Sequence, residues 1–202
     1  MKKNNIIRFV HSLVLLPILT GGMPAPSSIG DMLLVKNEIV LSQKQNIEAL
    51  GLISSNQDSN IKVKTLEAQA QAIDDYFKSY DLPFHGIGKS MVESSEKYGL
   101  DWRLLPAIAM RESTGGKFAC KKATFNAFGW GSCKINFDSH EEAVETVAKN
   151  LGGQNPRTAM HYAGKDTKEI LLAYNPPSII PNYVPQVMKI MEKIGEKDFG
   201  NI

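Results

Sequence analysis

A strong charge of either sign is missing from this chain: its 202 residues carry 23 Lys and Arg against 21 Asp and Glu, a formal net charge of +2. Lys2, Lys3 and Arg8 stand near the start with no acid to offset them, so the remainder is close to neutral. A protein that grips nucleic-acid phosphates shows a basic face or stripe, and its absence argues against a nucleic-acid partner. No residue class is in marked excess either: Gly and Pro number 16 and 10 and hydrophobic residues make up 43%, all near the averages for a globular protein. Those averages exclude collagen-like, fully disordered and multi-span membrane classes. The length suits one domain with some additional sequence.

Long apolar runs are also scarce. The run from Phe9 to Leu19 covers about a dozen residues where a membrane-spanning helix needs roughly 20. Lys2, Lys3 and Arg8 precede it and Gly21, Gly22, Pro24 and Pro26 break it, which is the order of a secretory signal. Residues 1–22 are therefore expected to be a signal peptide, cut after Gly22, in a secreted or cell-envelope protein. The alternative is an uncleaved anchor, the one route by which this chain would meet a membrane.

Cysteine is reduced to Cys120 and Cys133. In an exported protein the pair suggests one disulfide, with free thiols or metal ligands as the alternatives. Zinc would need histidines at ligand spacing, and His85, His140 and His161 are scattered without such a pattern. A nucleophilic cysteine should head a helix beside a base, whereas Cys120 leads toward a turn. No metal is expected.

Residues 23–60 read as a polar spacer, with Ser54 to Asn60 a flexible break. Helical spacing then begins. Leu66, Ala70, Ile73 and Phe77 predict a leading helix that ends before Leu82-Pro83, and residues 61–202 are expected to form the folded domain. Ile87, Met91, Val92 and Tyr98 predict a second helix closed by Gly99. Asp101 can cap a third, in which Leu105, Ile108, Ala109 and Glu112 share a face and Pro106 is an awkward resident. Ser139 with Glu142 suggests a capping box ahead of Ala143, Val144, Val147 and Leu151. Asp166 or Thr167 can start the helix of Ile170, Leu171 and Tyr174, and Val184, Val187, Met188, Met191 and Ile194 mark the last one. Between Gly115 and Phe137 the period is lost, which points to a hairpin or an irregular loop. The expected class is mainly α.

Glu112 carries the chemical signal. A carboxylate on an apolar helix stripe must be desolvated or paired, and desolvation raises its pKa. A carboxylic acid that keeps its proton near neutrality is what glycosidic cleavage needs, because the leaving sugar oxygen must be protonated as the bond breaks. The plainer reading is a Glu at a helix end, paired with Arg111 or solvated.

The segment Gly99 to Ser113, ending in Arg111-Glu112-Ser113, resembles the catalytic helix of the lysozyme-like superfamily, in its bacterial lytic transglycosylase and glucosaminidase branches. Asn126-Ala127-Phe128-Gly129-Trp130-Gly131 is similar to the Asn-x-Phe-Gly segment of the glucosaminidase-type members, and Ala173-Tyr174-Asn175 to the Tyr-Asn block. The three blocks occur in the family's order and span roughly Pro83 to Ile194. The resemblance implies a lysozyme-like helical domain with a glycan groove beside the loop and peptidoglycan as substrate. Glu112 would be the general acid and base, with Ser113, Asn126, Phe128, Gly129, Tyr174 and Asn175 lining the groove. Ser113, Phe128, Gly129 and Tyr174 also have plainer readings, as helix-end hydrogen bonder, core, turn and core. A Gly-Leu-Met-Gln segment is absent, and Pro176-Pro177 follows Tyr174-Asn175 in place of the usual glycine, which leaves the subfamily and the bond open.

No second carboxylate stands out, since Asp138 reads as a turn residue and Glu142 as a cap. A transglycosylase needs none, and the expectation leans that way: a monomer that cleaves peptidoglycan glycan strands without a metal or organic cofactor. An N-acetylglucosaminidase or muramidase hydrolase is the alternative. A non-catalytic wall-binding module and a structural envelope protein are rivals from other classes.

Overall fold

A computed structural model describes residues 59–198. The chain divides into two units, Met1–Ile53 and Ser54–Ile202, and the described residues belong to the second. The expected signal peptide lies outside the described residues, as does the spacer apart from Ser59 and Asn60. Those two positions, expected at the end of a flexible break, belong to a helix.

The described residues form eight helices and no strand: α1 (residues 59–79), α2 (Gly88–Tyr98), α3 (Leu104–Ser113), α4 (Trp130–Cys133), α5 (His140–Leu151), α6 (Ala159–Tyr162), α7 (Thr167–Tyr174) and α8 (Tyr183–Asp198). The domain is mainly α, as its periodicities indicate. α2 packs chiefly on α5, and α3 on α8.

α3 lies at the centre. The sequence shows an apolar stripe, but Leu104, Leu105, Pro106, Ala107, Ile108 and Ala109 are all buried, so this helix is enclosed on nearly every side. Pro106 is its third residue, where the missing N–H belongs to the four donors that have no partner within the helix. Asp101 does not act as its N-cap. That position falls on Arg103, and Asp101 Oδ1 accepts the Arg103 backbone N–H at 2.9 Å, while both its oxygens bond the Arg103 guanidinium.

Other helix ends follow the sequence more closely. Gly99 closes α2 in the left-handed region at φ 68°. Asp166 and Glu169 form a full capping box at the start of α7. At α5, Ser139 Oγ accepts the Glu142 N–H, but Glu142 returns its bond to the Asp138 N–H instead of to Ser139. The start of α2 has no local side-chain cap. Asp74, from α1, accepts the N–H groups of Gly86 and Gly88 through Oδ1 at 2.8 and 2.9 Å. α1 also contributes Ile73, Tyr76 and Phe77 to the core.

After α3 the chain turns through three left-handed residues, Thr114, Gly115 and Gly116. A Cβ on Gly115 would lie 2.9 Å from the Phe77 ring, and one on Gly116 would lie 2.9 Å from Phe84. These glycines therefore satisfy both a backbone conformation costly for other residues and the approach of two core rings.

Candidate active site

Glu112 sits in the last turn of α3, half-buried, with its side chain turned toward α8. The Tyr183 hydroxyl donates to Glu112 Oε1 at 2.6 Å. Burial raises the Glu112 pKa, and this outweighs the Tyr183 hydrogen bond and the nearby Arg111 charge, both of which favour the carboxylate. Tyr183 is fully buried, and its own phenol is pushed well above its ordinary range by burial first and by the facing Glu112 second. The proton in this contact therefore stays on the tyrosine, and Glu112 is the group that titrates.

Glu112 lines a cavity of 310 Å³ together with Phe128, Gly129, Trp130, Tyr174 and Asn175, and with Gly131, Ser132 and Tyr162. Among the described residues lining it, Glu112 is the one carboxylate. The rings are arranged in a series. Tyr174 stacks on Tyr183 with centroids 5.9 Å apart and 15° between the planes, and Trp130 lies 6.0 Å from Tyr174. Tyr174 Oη donates to the Phe128 carbonyl at 2.6 Å, which fastens α7 to the loop. Flat rings beside a carboxylic acid suit the apolar faces of sugar rings, which stack on aromatic surfaces much as other C–H-rich groups do.

One wall of the cavity is the irregular loop before α5. The expected hairpin is reduced to a local pairing, in which the Phe137 N–H donates to the Thr124 carbonyl and Thr124 Oγ1 donates to the Phe137 carbonyl. Within the loop α4 is a left-handed turn, since Gly131, Ser132 and Cys133 have φ of 62°, 56° and 58°. The Cys120–Cys133 disulfide is formed, with Cα atoms 5.6 Å apart, so neither thiol is available to a metal or for catalysis. Among the described residues no His, Cys, Asp or Glu group could hold a metal ion.

Of the expected groove residues, Phe128, Gly129, Tyr174 and Asn175 line the cavity beside Glu112. Ser113 and Asn126 do not. Ser113 is buried, donating to the Ala109 carbonyl and accepting the Gly116 N–H, so it shapes the turn after α3. Asn126 is fully buried and makes three bonds inside the loop, to the Trp130 N–H, the Trp130 carbonyl and the Ile135 carbonyl. Tyr183, the acid's partner, was missed. Its signal was available, because it precedes Val187 and Met191 at helical spacing, which puts its ring on the buried stripe of α8 with its hydroxyl in need of a partner.

No family model, curated protein or solved structure matches this chain. What the site does therefore has to follow from its own groups.

The Tyr183–Glu112 bond sets a direction for a test. Tyr183→Phe removes a donor to the carboxylate, so the charged form loses support and the Glu112 pKa rises further. The alkaline limb of any activity that needs protonated Glu112 should then move to higher pH. Rate profiles of the two proteins check this, and an unmoved or more acidic limb would show that the hydroxyl does not act on Glu112.

Proposed function

We propose that this chain is an exported enzyme of lysozyme-like architecture that cleaves the glycan strands of bacterial peptidoglycan, with Glu112 as general acid and then base. The observation that carries the proposal is Glu112 itself: a carboxyl group that burial holds toward its protonated form, in a cavity lined by Trp130, Tyr174 and Asn175. The match of Glu112, Phe128, Gly129, Tyr174 and Asn175 to the blocks noted in the sequence supports the same reading.

The chemistry needs one proton and a place to return it. Protonated Glu112 donates to the glycosidic oxygen as the C1–O bond breaks, and the leaving strand departs with a hydroxyl. The substrate's N-acetyl group can stabilise the cation developing at C1. The carboxylate now on Glu112 then takes the proton of the sugar's own C6 hydroxyl, whose oxygen closes on C1 to give a 1,6-anhydro end. Glu112 is left protonated, as it began. The absence of a second carboxylate among the described lining residues favours this route over hydrolysis, in which a second carboxyl group activates or replaces water. An internal hydroxyl also has a higher effective concentration than an unpositioned water.

Digestion of purified peptidoglycan, with product masses compared before and after borohydride reduction, tests this. Anhydro ends have no reducible group, so a population of fragments that gains no reduction mass is expected. Fragments that all gain it would overturn the transglycosylase and leave a hydrolase, and an intact wall would leave the rival of a binding module.

A further inference from the structure

A second cleft, of 430 Å³, is formed by α1, α3 and α8 and is lined in part by Tyr76, Tyr80, Arg111, Gln186, Lys189 and Lys193. Its charge is of one sign. Among the described residues none of its three cations is in an ion pair, and Lys189 and Lys193, one helical turn apart on α8, are both exposed. Arg111 is fixed in place: its Nε donates to Gln186 Oε1 at 2.8 Å, and its guanidinium carbon stands 5.7 Å from the Tyr183 ring centroid. Among the described residues its terminal nitrogens have no hydrogen-bond partner, and they form the fork that bonds a carboxylate through two parallel N–H groups. Tyr183 thus contacts the arginine of this cleft and the acid of the catalytic cavity.

We infer that this cleft binds the carboxylates of the stem peptides that a peptidoglycan strand carries beside the bond being cut. The inference rests on the peptidoglycan reading above. Arg111 would take one carboxylate in its fork, Lys189 and Lys193 a second, and the exposed Tyr80 ring would cover the apolar part of the peptide. A phosphate-bearing polymer fits less well. Phosphate sites are typically built from backbone N–H groups at helix starts or glycine loops, whereas this cleft draws on α3 and α8 side chains within the helices and on two phenol rings. The effect of such a site is to favour peptide-bearing strands over stripped ones and to fix the strand's position relative to Glu112.

The test uses the full chain, labelled with nitrogen-15, and a stem tetrapeptide with free carboxylates as probe. Its fully amidated form and inorganic phosphate serve as comparisons. Backbone shifts at Tyr80, Lys189 and Lys193 are expected with the free peptide only, and they should weaken as salt is added. Lys189→Glu combined with Lys193→Glu, at exposed positions that do not hold the fold, should weaken peptide binding roughly three- to tenfold. The same double variant should cleave intact strands more slowly yet match the parent on strands stripped of peptides by an amidase. Equal losses on both substrates, unchanged peptide binding, or equal competition by phosphate would each overturn the site. Peptide shifts in a protein that releases no wall fragments would uphold the cleft and sink the enzyme, and wall cleavage without peptide shifts would do the reverse.

Discussion

Glu112→Gln is expected to abolish wall cleavage, with a loss of several orders of magnitude, while leaving the circular dichroism of the helices unchanged. The amide keeps the size of the side chain, and its oxygen can still accept the Tyr183 hydroxyl, but it has no proton to give. The same substitution has a second, opposite consequence for stability. Because burial raises the folded-state pKa of Glu112, folding favours its protonated form. The contribution of this group is fully present below the ordinary carboxylate pKa and is lost as pH rises through the raised value. Each unit by which the pKa is raised corresponds to about 1.4 kcal/mol. The glutamine variant escapes that loss, so its melting temperature near neutrality should equal or exceed that of the parent, and the gap should close in acid. An inactive variant that also melts lower at neutral pH would mean that Glu112 supports the fold and is not held in it at a cost. Retention of more than about a tenth of the activity would remove it as the acid.

Replacing both Cys120 and Cys133 by serine is expected to cost about 3 kcal/mol of stability by the chain-entropy model and to reduce the proposed activity by at least about tenfold, by letting a wall of the Glu112 cavity drift. The helices should remain. The reason lies in the turn that the disulfide closes. Gly131, Ser132 and Cys133 are all left-handed, a conformation that costs roughly 1–2 kcal/mol for each residue with a side chain. Asn126 holds the turn from inside by its bonds to Trp130 and Ile135, and the crosslink holds its end. Gly129, Trp130, Gly131 and Ser132 are cavity residues, so a relaxed turn alters the site directly. Hydrogen exchange should rise in residues 126–133 well before it rises in α3 or α8. Activity within twofold of the parent would show that Asn126 alone suffices.

The sequence carried some of this and withheld the rest for identifiable reasons. Much that depends on residues a few positions apart is legible: the Gly99 cap, the start of α7 at Asp166, the buried stripe of α8 and the apolar surroundings of Glu112, although the local cap expected from Asp101 on α3 does not form. Contacts between distant segments are not. Tyr183 reaches Glu112 across 71 positions, and nothing in the local pattern of α8 says which helix its hydroxyl will meet. Asp74, likewise, serves the start of α2 across 12 and 14 positions, through the N–H groups of Gly86 and Gly88. Ser113 and Asn126 were named from a motif, and a motif does not distinguish a residue that touches a ligand from one that shapes the backbone touching it. Both bond only to main-chain groups, which is the second role.

The role of α1 bears on maturation. Proteases can remove leading sequence, and the hydrogen bonds of Asp74 to Gly86 and Gly88 set a limit on how far such trimming can run before the start of α2 is affected. A cut beyond Asp74 would remove the one acceptor shared by the N–H groups of Gly86 and Gly88, and a cut beyond Phe77 would also remove the ring against which Gly115 folds the chain behind α3. The smallest stably folded product of such trimming should therefore still carry α1, as an integral part of the domain.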